Sequence, residues 1–192
     1  MDYLALFSMP KPVKITGRSS SITNSFVNSI IPVVQPNADE VKQALEILGM
    51  NQDNFQCVYC GSFPTEWDHL RPLVEDKKPT GYISEIHNLV PSCGKCNQSK
   101  GNKNWRSWMM SLAKLSPKTR GVKDVDERIK KLDAYEKWKP ATKIDFEAIV
   151  GKDVWEQHWK NCNDIQNLMR NSQELASEIN LTVANTYKTT II

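Results

Sequence analysis

Two C-x-x-C pairs, Cys57/Cys60 and Cys93/Cys96, constrain this 192-residue chain more than any other feature. Each pair can bind a metal from one tight knuckle. Two such pairs complete a tetrahedral thiolate site of the kind zinc takes. Four cysteine ligands leave no open position, so such a zinc is structural and cannot activate water. The 32 residues between the pairs become an insert pinned at both ends. The competing reading, a cytosolic redox protein, lacks a thioredoxin-like βαβ pattern around either pair. Cys162 has no partner pattern and reads as a small buried side chain.

Charge is unevenly placed. Residues 1–94 carry 7 basic and 10 acidic side chains, residues 95–131 carry 11 and 3, and residues 132–192 carry 7 and 9. The basic block directly follows the second cysteine pair and suits a polyanion such as nucleic acid. From charge alone a solvated helical face is the favoured reading, and the position next to the cysteine motif turns the balance towards a polyanion. The longest apolar run is far short of a membrane span. The opening "MDYLALFSMPKPVKITGRSS" places its basic residues after the apolar ones, the reverse of a secretory leader, so a cytoplasmic location is expected, with no membrane partner.

Outside the cysteine region the pattern is mostly helical. "SITNSFVNSII" has helical apolar spacing that stops before Pro32. "NADEVKQALEILGM" has Asn37 as a cap, a stripe of Val41, Ala44, Leu45 and Leu48, and Gly49 as a stop. "EWDHLRPL" and "GYISEIHNLV" can pair as strands joined by the turn-rich "VEDKKPT". Residues after Cys96 form one helix or two, because Gly101 weakens the middle. Residues 124–138 are amphipathic. A long C-terminal helix or helical pair carries Val154, Trp155, Trp159, Ile165, Leu168, Leu175 and Ile179, with core packing expected for that stripe. Trp105 and Trp108 are likewise core candidates, and His158 is structural.

The insert holds an acid and an imidazole side by side. Asp68 is a hard oxygen ligand of the kind Mg²⁺ prefers, and His69 has the chemistry of a general base. Neighbouring side chains on a strand point to opposite faces, so the two converge on one phosphate only at a bend or a strand edge. Asn88 lies just before the second knuckle, and Asn97 follows Cys96. One zinc would hold both halves of such a site in register.

The ordered set C-x-x-C … D-H … N-L-V-P … C-x-x-C-N-x-x-K-G, from residue 57 to about 105, resembles the HNH nucleases with a four-cysteine zinc site. The resemblance implies an α+β fold: a ββα-metal core pinned by zinc, with mainly helical flanks. It implies His69 as general base and Asp68 with Asn97 as ligands of one catalytic divalent metal, Mg²⁺. It implies Asn88 as the residue that fastens the loop carrying His69. Histidine is frequent in the family where this chain has Asn97, and the asparagine keeps an oxygen ligand. Candidate DNA contacts are Arg71, His87, Lys95, Lys100, Lys103 and Arg106. The expected organisation is residues 1–50 for recognition, 51–110 for the nuclease core, and 111–192 for recognition or dimerisation. The expected protein is a DNA endonuclease of restriction or phage type, acting as a homodimer if it cuts both strands. The rival is a non-catalytic zinc module that binds nucleic acid.

Overall fold

The computed structural model describes residues 3–187. Helices predominate among them, with four short strands and long irregular connections, an α+β arrangement. The chain divides into two compact units, residues 27–149 and residues 1–26 with 150–192.

In the first unit, helix α2 (Ala38–Ile47) begins with a complete capping box. Asn37 accepts from the Glu40 amide, and the Glu40 carboxylate accepts from the Asn37 amide. Ala44 from α2 and Leu48 at its C-cap enter a core with Val58, Tyr59, Leu70, Val90, Trp105, Trp108, Ile129, Leu132 and Tyr135. The last three come from α5 (Val125–Trp138). The expected borders near residues 50 and 110 therefore do not divide the packing. The helices on either side of the cysteine region close its hydrophobic core, which the insert is too short to fill alone.

Strand β1 (Glu66–His69) pairs antiparallel with Leu89–Ser92, in the register Glu66 to Ser92, Trp67 to Pro91, Asp68 to Val90 and His69 to Leu89. This differs from the expected pairing with the whole of "GYISEIHNLV". Residues Ile86–Asn88 are instead a 3₁₀ turn, and only Leu89 and Val90 of that run join the strand. The "VEDKKPT" segment makes its own hairpin, Val74–Glu75 (β2) with Lys78–Pro79 (β3); the strand Leu89–Ser92 is accordingly β4. Asp76 and Lys77 both have positive φ (48° and 64°), the geometry of a tight two-residue hairpin turn.

After β4 come α3 (Gly94–Lys100) and α4 (Trp105–Met109), separated at Gly101. Trp105 and Trp108 are buried in the core, and the Trp108 indole meets Tyr59 edge-on at 5.2 Å. The short α6 (Phe146–Val150) leads to the second unit.

The second unit is α1 (Ser19–Asn28, to residue 26) and the residues before it, packed along the 36-residue helix α7 (Lys152–Tyr187). His158 Nε2 lies 3.1 Å from the Phe26 carbonyl, and Gln166 donates to the Ser19 carbonyl at 2.9 Å. Trp159 and Cys162 are buried. The rest of the expected core stripe departs from the expectation. Val154, Ile165, Leu168, Leu175 and Ile179 remain exposed, because the N-terminal segment covers a neighbouring face of the helix. Among the described residues no helix is long and apolar enough to cross a membrane.

Candidate active site beside a four-cysteine centre

The sulfurs of Cys57, Cys60, Cys93 and Cys96 all lie within 4.8 Å of one another. Cys60 Sγ is 3.7 Å from Cys93 Sγ. Zinc–sulfur bonds of about 2.3 Å put the corners of a tetrahedron about 3.8 Å apart, so the Cys60–Cys93 separation matches a zinc edge and the whole cluster lies within about 1 Å of one. The first knuckle closes through the Gly61 amide to the Cys57 carbonyl at 2.9 Å, the second through the Asn97 amide to the Cys93 carbonyl at 3.0 Å. Gly61 adopts φ 75°, and a Cβ there would meet the Arg128 guanidinium at 2.7 Å. That guanidinium donates to the Cys57 and Val58 carbonyls at 3.2 Å each, so α5 braces the first knuckle. Among themselves the thiols share protons unequally. Hydrogen bonding from Cys57 holds Cys60 far below the usual thiol range, while its bond to Cys60 pushes Cys57 up to about 11. A divalent cation removes this conflict, because coordinated thiols are deprotonated.

The knuckles lead directly into β1 and α3, and these two elements face each other. Glu66 and Asp68 share one face of β1 by the period of two. Asn97 and Lys100 share one face of α3 by the spacing of three. Asn97 Nδ2 donates to Glu66 Oε2. Lys100 Nζ lies 3.1 Å from Asp68 Oδ2 and donates to the His69 carbonyl at 2.7 Å. Tyr59 donates its hydroxyl to Asp68 Oδ2 at 2.6 Å. Burial pushes the Asp68 carboxyl up and the Lys100 ammonium down, and each is the chief charge opposing the shift of the other.

His69 points to the other side of β1. Its Nε2 is 2.8 Å from Ser84 Oγ. Burial, with Lys100 nearby, depresses its pKa to about 4, so the ring is neutral at pH 7. Asn88 is fully buried and grips the backbone two residues beyond His69. Its side chain accepts from the Arg71 amide at 2.8 Å and donates to the Arg71 carbonyl at 3.1 Å.

Residues 57–103 match the family model for the HNH endonuclease. This segment is an HNH endonuclease domain. A stretch of 63 residues is 40% identical to the CRISPR-associated endonuclease Cas9 of Corynebacterium diphtheriae, covering 31% of this chain and 5% of that protein. The chain thus corresponds to a small part of that relative's length. No solved structure matches the chain.

Of the sequence candidates, the HNH domain carries Asp68 and His69 on β1, Asn88 on the turn before β4, Cys96 and Asn97 on α3, and the other three cysteines on the segments leading into β1 and α3. Two of the candidate DNA contacts lie elsewhere than expected. Lys100 is fully buried against Asp68, and His87 is buried between Glu85 and the Trp138 ring, so neither presents a surface charge. Arg71 pairs with Glu136 at 3.3 Å, and Arg106 pairs with Asp133. Lys95 and Lys103 are exposed, as are Lys114, Lys118 and Lys123. Part of the basic block is therefore used internally: Lys100 on Asp68, Arg128 on the first knuckle, and Arg120 donating to Cys96 Sγ at 3.3 Å.

Three residues of the site escaped the sequence reading: Glu66, Tyr59 and Ser84. Glu66 carried a signal, two residues before Asp68 on a strand. Ser84 carried none, since its position depends on the path between β3 and β4. Glu66, Asp68 and Asn97 together offer two carboxylates and an amide oxygen, the hard donor set that Mg²⁺ takes. The Lys100 ammonium offsets one carboxylate, leaving a single net negative charge to attract a cation. The donor types suit such an ion, and binding it would exchange the bonds that Lys100 and Tyr59 make to Asp68 and that Asn97 makes to Glu66.

Asn88→Ala would leave the Arg71 amide and carbonyl unpartnered inside the domain. The expected cost is about 2–4 kcal/mol, read as a lower midpoint in urea unfolding.

Proposed function

We propose that the chain is a metal-dependent DNA endonuclease that leaves 5′-phosphate and 3′-hydroxyl ends. The observation that carries this reading is His69: a neutral imidazole, tethered through Nε2, on a strand of an HNH domain whose opposite face carries two acids facing the Asn97 amide. With Nε2 engaged by Ser84, Nδ1 is the nitrogen left to take a proton from an attacking water. Asn88 holds the following backbone, which fixes the direction of the ring. Glu66, Asp68 and Asn97 would hold one divalent ion, Mg²⁺, which when bound supplies charge stabilisation at the scissile phosphate and the leaving oxygen. Exposed Lys95, Lys103, Lys114, Lys118 and Lys123 supply phosphate contacts, which position a duplex without reading its sequence. The helices outside residues 57–103 are available for base-edge recognition, in keeping with a site-specific enzyme of restriction or phage type.

One observation favours a second reading, a zinc module that binds nucleic acid without cutting it. Lys100 and Tyr59 already occupy Asp68. Incubating supercoiled plasmid with and without Mg²⁺, then ligating the products, separates the two. Mg²⁺-dependent cleavage to ligatable ends supports the nuclease. Retention of plasmid in a gel shift with no cleavage under any divalent metal supports the module. Discrete bands mark a site-specific enzyme and a smear a non-specific one.

Ser84→Ala frees the His69 ring without removing it. The expected result is a loss of about 10-fold or more in cleavage rate, with the acid limb of the pH profile displaced. In a His69→Ala background the same change should cost nothing further. Equal effects in both backgrounds would place Ser84 outside the catalytic unit.

A further inference from the structure

Helix α7 carries a second apolar line beside the one covered by the N-terminal segment. Val154, Ile165, Leu168, Leu175, Ile179 and Val183 are between 39% and 66% exposed. At 3.6 residues per turn these six fall within about 80° of arc, so they form one stripe rather than scattered surface residues. Ser172 sits on the same line between Leu168 and Leu175. The spacing is a heptad. Ile165, Ser172 and Ile179 take the a positions, Leu168 and Leu175 the d positions, with Val154 at d two heptads earlier.

We propose that α7 pairs with α7 of a second copy of this chain as a parallel, in-register two-stranded coiled coil centred on residues 165–179. Three observations select that occupant. Isoleucine at a with leucine at d favours two parallel strands, and the small Ser172 at the middle a position leaves those flanking layers intact. The g positions are Asp164, Asn171 and Glu178. In the antiparallel register that sets Ile165 against Leu175 and Ser172 against Leu168, Asp164 would oppose the partner's Glu178, a like-charge contact. In a parallel pair the same acids face e positions held by Met169 and Val183, with no repulsion. Finally, Ile165, Leu168, Leu175 and Ile179 in the seam, with Val183 flanking it, offer about 100 Å² each, or about 1,000 Å² over both copies, the threshold of a specific interface. Pairing would join two HNH domains in one assembly, the least that cuts both strands of a duplex with one site per chain. The pairing stands on α7 alone and is independent of whether the chain cuts DNA.

The test is the mass of the full chain in solution, by light scattering or sedimentation, at about 10–100 µM, where a micromolar association is saturated. The expected result is a dimer for the wild type. Leu168→Glu combined with Leu175→Glu should halve the mass and leave the helical circular dichroism unchanged, since both side chains are exposed in the single chain. A wild-type monomer at these concentrations, or a dimer that survives the double substitution, overturns the proposal. Ser172→Cys then tests direction. In a parallel, in-register pair the two new thiols face each other and form an interchain disulfide under mild oxidation, which the wild type does not. In an antiparallel pair Ser172 faces a leucine, Leu168 or Leu175, so a dimer without that cross-link also overturns the arrangement.

Discussion

His69→Ala is expected to lower Mg²⁺-dependent plasmid cleavage by about 10²–10⁴-fold, the usual contribution of a general base. The side chain does little for the fold. It is half-buried, its one side-chain hydrogen bond is to Ser84, and the strand around it is held by the β1–β4 register and by Asn88. The variant should therefore keep the wild-type metal content and circular dichroism, so that lost cleavage reports chemistry. Unchanged cleavage would remove His69 from the reaction. The pH dependence follows from the same environment. Burial is the main reason the imidazole pKa drops to about 4, with Lys100 adding to it. A base acts in its neutral form, so His69 is competent throughout the neutral range, and its acid limb should lie near pH 4 rather than near the ordinary histidine value of about 6.5. For stability the sign is reversed. The folded-state pKa lies below the unfolded one, so as pH falls from about 6.5 towards 4 the unfolded chain takes up a proton that the folded chain refuses, and stability declines over that window. An acid limb centred near 6.5 would mean that His69 is more open to solvent than its contacts with Ser84 and Lys100 imply.

Removing the metal from the four-cysteine centre is expected to cost the fold of residues 27–149. Zinc binding at structural sites of this type is worth about 10–16 kcal/mol, comparable to the whole stability of a small domain. The two knuckles are the roots of β1 and α3, and Cys57, Cys93 and Cys96 are buried within the core itself. Without the ion four crowded thiols face one another in place of a bonded centre. Chelation, or Cys93→Ser, should abolish the near-ultraviolet circular dichroism of Tyr59, Trp105 and Trp108 and the cooperative melting transition that goes with it. A zinc-free protein that kept both, with a melting temperature within a few degrees of the holo form, would show that packing by α2 and α5 suffices. This readout does not depend on cleavage, and so separates a structural ion from a catalytic one.

The local chemistry was legible in the sequence wherever it depends on short spacing. A C-x-x-C pair is a property of four consecutive residues, and two of them define the four-cysteine cluster whatever the path between. The Asn37 cap and the α5 stripe of Val125, Ile129, Leu132 and Tyr135 are local in the same sense. The second strand was less legible. Its residues "LVPS" include a proline, which lacks the ladder donor, and the β-like run before it is taken up by a 3₁₀ turn buried under α5, whose Tyr135 hydroxyl donates to the Leu89 carbonyl at 2.8 Å. The α7 stripe was read as core because periodicity reports that a helix has an apolar face without saying which face finds a partner.

By itself the sequence determined the four-cysteine cluster, the HNH domain that contains it, and the identity of the acid, imidazole and amides between and beside the knuckles. Only the tertiary structure decided how those groups are spent. Laying α3 across β1 puts the Lys100 ammonium on Asp68 and the Asn97 amide on Glu66, and routing the chain from β3 to β4 brings Ser84 to His69. Each is a contact between residues 15 to 32 positions apart. Such contacts follow from which faces pack together, and no spacing along the chain encodes that. For the same reason Lys100, which reads as a free cation in a basic run, is a buried counter-charge: burying an ammonium is costly unless a carboxylate meets it, and here Asp68 does.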